Sequence, residues 1–186
     1  LPRTIPVGTA QAARPVTLGI IGAGNHVRDM LLPPLQNMSN VAIRGICTAS
    51  GLTAKTLATK ITAAYCTSDS RSILDDPAIN TILIGTRHDS HAALTVQALR
   101  AGKHVFVEKP LCLTEDELQD IRSTYEKQAA EGLHLMVGFN RRFSPHAKEA
   151  RTFFSSRSNP LVMLYRINAG RIPADHWVQD PDEGGG

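Results

Sequence analysis

Cysteine is scarce in this chain. Cys47, Cys66 and Cys112 are the only three, an odd number with no C-x-x-C pair, so the spacing encodes neither a zinc site nor a redox dithiol. A reduced, cytoplasmic setting is the matching expectation. An excess of one charge is also missing: 20 Lys and Arg are interspersed with 17 Asp and Glu, for a net charge of +3. Without a basic stripe the composition gives no footing to nucleic acid as a partner. No apolar run reaches the length of a signal peptide or a membrane span, and there is no internal repeat or low-complexity tract. What is present, 42% hydrophobic and 20% charged residues over 186 positions, is a globular balance. At roughly 150 residues per domain, that length holds one complete domain and part of another.

The first stretch, LPRTIPVGTAQAARP, carries three prolines, and residues 1–14 read as a linker. From Val16 short apolar runs alternate with longer helical ones, the pattern of βαβ units around a parallel sheet buried on both faces. Strands are predicted at Val16 to Ile21, Val41 to Cys47, Ala64 to Cys66, Thr81 to Ile84, Val105 to Val107 and His134 to Val137. Between them helices are predicted at Asn25 to Leu35, kinked or ended by Pro33 and Pro34, Leu52 to Lys60, Ser70 to Leu74, Ser90 to Ala101, and Thr114 to about Glu131. Thr114 and Glu117 stand in capping-box register, and Gly132 is a natural stop. Six strands with helical crossovers make an α/β, doubly wound, Rossmann-like domain over residues 15–143. The rhythm then changes: a helix at Pro145 to Phe154 and an alternating strand at Leu161 to Asn168 open a second, truncated α+β domain over residues 144–186.

Directly after the first strand stands Gly22-Ala23-Gly24-Asn25-His26-Val27, a G-x-G-x-x-V turn entering a helix. In that setting Gly22 permits the tight turn, Gly24 lets the backbone approach a pyrophosphate, and the helix N-terminus offers free N–H groups and a positive dipole end. Gly22, Gly24, Asn25 and His26 are therefore candidate dinucleotide contacts. Val27 replaces the usual third glycine or alanine, which predicts a slightly wider helix–strand spacing. A second absence follows about 20 residues on, where an acidic side chain would bind the adenosine ribose of NAD. Here the second strand ends in Cys47-Thr48-Ala49-Ser50-Gly51 with no acid. Thr48 and Ser50 are the candidate ribose contacts, and the lack of a carboxylate tilts the reading toward NADP or dual use, with Lys55 or Arg71 within possible reach of a 2′-phosphate.

Two further segments are more specific: Ile84-Gly85-Thr86-Arg87-His88-Asp89-Ser90-His91, and Ala101 to Pro110, AGKHVFVEKP. With the glycine turn ahead and VGFNRRFSP behind, they closely resemble the glucose-fructose oxidoreductase and inositol dehydrogenase family, Gfo/Idh/MocA, over about residues 16–186. The linker and the LLPPL and TRHDSH details resemble members fused behind an alcohol-dehydrogenase-like region. The resemblance implies an NAD- or NADP-dependent oxidoreductase that moves hydride to or from a hydroxyl carbon of a sugar, sugar nucleotide or polyol. It also implies a small-molecule substrate and a homo-oligomeric parent protein.

By that resemblance Thr86 and Glu108 line the nicotinamide side of the cleft, and Lys109 is the catalytic residue nearest the reacting carbon. An ammonium there can hydrogen-bond the substrate oxygen and stabilise charge as hydride moves. Arg87 stands where many relatives carry proline; it suits a cofactor phosphate, a substrate carboxylate or a solvated loop equally well. His91 matches the family histidine at the next helix start, a cofactor neighbour. Read as a metal pair, His88 and His91 lack further ligands in register, so no metal is expected. Asn140 and Arg141 are assigned to the substrate pocket, against the alternative of a basic helix-start pair, and Trp177 to a loop over the active site. Relatives continue past the terminal glycines into a helix whose Asp and His complete the catalytic group. A chain ending at Gly186 is thus expected to bind cofactor without turning over. The rival reading is a non-catalytic NAD(P)-binding regulatory module, against which the Glu108-Lys109-Pro110 segment speaks.

Overall fold

The computed structural model describes residues 15–168 and 170–185; the predicted linker at 1–14 lies outside them. Six strands, β1 (Val16–Ile21), β2 (Val41–Cys47), β3 (Tyr65–Thr67), β4 (Thr81–Ile84), β5 (His104–Val107) and β6 (Leu135–Val137), form one parallel sheet in the order β3-β2-β1-β4-β5-β6. Order reverses between β1 and β4. In an open α/β sheet that reversal opens a crevice at the carboxyl ends of the strands.

The helices bury the sheet on both faces. α1 (Leu32–Gln36) and α2 (Gly51–Lys60) cover one side, where Leu18, Ile20, Val27, Leu32, Ile46, Leu57 and Leu83 cluster. Against the other face, α3 (Arg71–Leu74) and α4 (His91–Arg100) bury Ile73, Leu74, Leu94, Ala98 and Leu99 over Ile82, Ile84, Val105 and Val107. A fifth helix, α5 (Glu115–Gln128), packs on α4 through Ile121, Ala92 and Val96. Strands buried on both faces are apolar along their length, which is why the strand pattern reads as runs and not as alternation.

Local signals were obeyed where they are strong. Thr114 and Glu117 form a full capping box at the start of α5, and Gly132 closes the following 3-10 turn at φ 74°. The proline pair behaves differently from expectation. A π-helical turn, Val27–Leu31, precedes α1, and the prolines occupy its first positions, so the helix runs on to Gln36 instead of ending at Leu35. The wider turn and the N-terminal placement remove the need for the amide hydrogens that proline lacks.

One predicted element is corrected. Residues 161–168 form no strand, although α6 (Pro145–Phe153) ahead of them is present and capped by Ser144. Val162, Leu164 and Tyr165 are 99%, 86% and 68% exposed. A strand is defined by hydrogen bonds to a neighbour, and no strand pairs with this segment among the described residues.

Candidate functional site

All six strands end toward one edge, and the candidate residues follow from those ends. Gly22 leaves β1 with its N–H donating to the Cys47 carbonyl at 2.8 Å and with φ +86°, a conformation that favours glycine. Its Cα is pressed against the end of β4: a Cβ would lie 2.6 Å from the backbone of Gly85 and Thr86. Gly24 is the opposite case, since a Cβ there meets nothing within 4 Å. The turn is thus tight behind and open in front, with the first amides of a helix beyond it lacking intrahelical partners. That shape fits a pyrophosphate.

Val27, at the third-glycine position, is 1% exposed. Room for it comes from across the sheet, because a Cβ on Gly85 would overlap the Val27 Cγ2 methyl. The glycine that is missing from the helix is supplied by the end of β4, a compensation invisible in the local motif.

At the end of β2 the Thr48 hydroxyl donates to the Ser50 carbonyl at 2.6 Å, while the Ser50 side chain caps nothing and is exposed. Neighbouring Cys47 is buried, and burial pushes its thiol up, with Asp69 adding to the shift. No acid occupies the first turn of α2.

After β4, Thr86 accepts a hydrogen bond from Ser90 Oγ at 2.6 Å. His91 opens α4, as expected, and lies buried under this turn. It is 0% exposed, with Nδ1 2.6 Å from the Pro110 carbonyl and Nε2 3.2 Å from that of Thr86. Placed between these two carbonyls, the ring ties the β4 turn to the loop after β5. Arg87 forms an ion pair with Glu183 and lies 5.7 Å over the Trp177 ring. His88 packs edge-on against Trp177, centroids 4.8 Å apart, and its Nδ1 is 2.8 Å from the Gly184 carbonyl. The segment from Trp177 to Gly185 is thereby strapped to the turn after β4. His88 enters the sequence reading only as half of a rejected metal pair within TRHDSH, and Glu183 carries no local signal at all.

Glu108 directly follows β5 and is 9% exposed. Its carboxylate receives Nδ2 of Asn140 at 3.1 Å and lies 3.3 Å from Nε2 of His26 and from the Lys109 amide. Asn140, assigned to substrate, therefore has its amide turned to the floor of the cleft. Lys109 precedes Pro110 through a cis peptide bond and is exposed. Among the described residues its ammonium has no ion-pair partner. Arg141 is exposed in the 3-10 turn Asn140–Phe143, and Arg142 lies over Phe139 and Phe143 at 5.6 and 5.9 Å. No group of three or more His, Cys, Asp or Glu that could hold a metal occurs among the described residues.

Comparison with known proteins places the chain in a family. The model of an oxidoreductase family with an NAD-binding Rossmann fold, Gfo/Idh/MocA, matches residues 16–159. An uncharacterized oxidoreductase of Bacillus subtilis, YrbE, is 34% identical over 154 residues, covering 83% of this chain and 44% of the relative. An inositol 2-dehydrogenase/D-chiro-inositol 3-dehydrogenase of Lactiplantibacillus plantarum is 29% identical, covering 89% of this chain and 53% of that protein. The chain thus spans about half the length of these relatives. A variant of a 3-ketoreductase from Actinomadura kijaniata, solved with TDP-benzene and NADP, superposes with a TM-score of 0.76 at 21% identity, covering 92% of this chain and 52% of that one. The chain belongs to the Gfo/Idh/MocA oxidoreductase family, and its six-stranded sheet is that family's NAD-binding Rossmann fold.

Proposed function

We propose that this domain holds NAD(H) or NADP(H) along the carboxyl edge of its sheet and, in the intact protein, serves hydride transfer at a hydroxyl-bearing carbon of a sugar, sugar nucleotide or polyol. The bound nicotinamide supplies the hydride chemistry. The glycine turn seats the pyrophosphate, with Gly24 as the point of close backbone approach and Asn25 and His26 at the helix start. Thr48 and Ser50 receive the adenosine ribose, and the missing acid leaves a 2′-phosphate unopposed, which favours NADP or dual use. Thr86, Arg87 and Glu108 line the nicotinamide side. Residues 144–186 open the substrate domain, from which Trp177 and, at the junction, Arg141 face the substrate. The sugar and polyol class rests on relatives whose names include inositol and levoglucosan dehydrogenases.

One observation carries the reading: an exposed lysine without an ion-pair partner among the described residues, Lys109, stands at the same strand edge as a glycine turn shaped for a pyrophosphate. A purely regulatory binder has no use for an unpaired ammonium beside a nicotinamide. As a donor the ammonium hydrogen-bonds the substrate oxygen and, in the reducing direction, gives it the proton that completes the hydroxyl; in the oxidising direction the neutral amine takes up the hydroxyl proton as hydride leaves the carbon. Replacing Lys109 by Ala in the intact protein is expected to lower kcat by about 100-fold or more, with the Kd for NADH or NADPH within about threefold. Equal loss of turnover and cofactor affinity contradicts the role.

A further inference from the structure

β1 and β6 do not touch. With β4 and β5 between them, three inter-strand spacings of about 4.8 Å separate their ends by roughly 14 Å. Yet the residues that follow those two strands share one atom. Oε1 of Glu108 is 3.3 Å from Nε2 of His26, in the glycine-rich turn after β1, and 3.1 Å from Nδ2 of Asn140, in the turn after β6. The other oxygen, Oε2, is 3.3 Å from the backbone N–H of Lys109. The carboxylate is wedged in place: a Cβ on Gly138 would come within 2.8 to 2.9 Å of all three of its atoms. The turn beyond is itself tight, with Phe139 N–H donating to the Val137 carbonyl at 2.7 Å and Asn140 N–H to the Gly138 carbonyl at 2.9 Å.

We infer that Glu108 is a positioning residue that couples the nucleotide turn to the chain leaving the sheet, through His26 on one side and Asn140 on the other. The inference rests on the cofactor reading above and adds to it a specific linkage. His26 follows Gly24 by two residues, so seating a pyrophosphate on the turn fixes the imidazole. Because both side chains converge on a single oxygen, the position of one sets the geometry open to the other. Asn140 begins the 3-10 turn that carries Arg141 and Arg142 toward α6. Nucleotide binding is thereby communicated to the segment that follows the sheet, and by reciprocity the state of that segment alters nucleotide affinity.

The test is a double-mutant cycle on nucleotide affinity in the intact protein, using NADH and NADPH followed by fluorescence. Asn140→Ala lies on the far side of Glu108 from the nucleotide turn, yet is expected to weaken binding about fivefold, the low end of ordinary coupling between sites. In a His26→Ala background the same substitution is expected to change affinity by less than about twofold, since the route through Glu108 is already cut. Both side chains are at least half exposed or lie in an exposed turn, so thermal midpoints should stay within a few degrees. A general loosening of the fold would move those midpoints and would not cancel in the cycle. Fold-changes that multiply independently, or no effect of Asn140→Ala, overturn the coupling while leaving the cofactor reading intact. An unsubstituted protein that binds neither nucleotide overturns the cofactor reading itself, and this inference with it.

Discussion

The two glycines of the phosphate turn should fail in different ways when each is replaced by alanine. At Gly22 two costs add. The φ of +86° imposes left-handed strain on any L side chain, about 1–2 kcal/mol. The new Cβ also falls 2.6 Å from backbone atoms of Gly85 and Thr86, where no side-chain rotation can relieve it. Contact at 3.4 Å or more requires the turn to retreat from the end of β4 by nearly 1 Å, at about 1–3 kcal/mol for an overpacked site. Gly22→Ala should therefore lose roughly 3 kcal/mol, a fall in Tm of about 6–12 °C for a chain of this size, together with nucleotide binding. At Gly24 neither cost applies, because its Cβ meets open space. Gly24→Ala should leave Tm within about 2 °C and still weaken NADH and NADPH at least tenfold, since the methyl group occupies the place of the pyrophosphate. Thermal unfolding and fluorescence titration of both variants decide the matter. Unchanged nucleotide affinity in Gly24→Ala refutes the cradle, and an unchanged Tm in Gly22→Ala refutes the packing argument.

Two other outcomes follow from the structure. Trp177 is the only tryptophan, so its emission reports the strap directly. Glu183→Ala removes an ion pair whose partners are 57% and 37% exposed, costing under about 1 kcal/mol of stability, but should red-shift the emission and increase acrylamide quenching; an unchanged spectrum contradicts the strap. At the opposite sheet edge, His104 stacks on His134 with centroids 5.3 Å apart, and its Nδ1 accepts the His134 N–H. Burial and, secondarily, the charge of His134 hold the His104 imidazole below its ordinary value. The folded state therefore resists a proton that the unfolded chain accepts near pH 6.5. Stability is full above that pH and falls as pH drops below it. His104→Gln keeps an acceptor and should flatten the decline in Tm between pH 7.5 and 5; an identical slope excludes His104 as its source.

The comparison between sequence and structure is instructive at particular residues. Thr114 with Glu117, and Gly132, were legible because a cap is made within a few residues. The glycine turn was legible for the same reason. The strand expected at Leu161 to Asn168 was not formed, since side-chain alternation is local but a ladder needs a partner. Val27 predicts a wider helix–strand spacing from the motif alone, whereas Gly85, 58 residues on, makes room for it. Family resemblance pointed to His91 as a cofactor neighbour; its burial between two carbonyls could not be read from its spacing.

The sequence by itself determined the βαβ alternation, the helix caps, the glycine turn and the residues at the strand ends, because each depends on periodicity or on contacts a few residues apart. Only the tertiary structure decided which strand ends meet. Sheet order sets β5 between β4 and β6, and that placement lets a single buried carboxylate at Glu108 reach both His26 and Asn140. A hydrogen bond of 3.1 Å between residues 32 positions apart and a 3.3 Å contact between residues 82 apart depend on how the sheet assembles, a non-local property that no stretch of the chain carries alone.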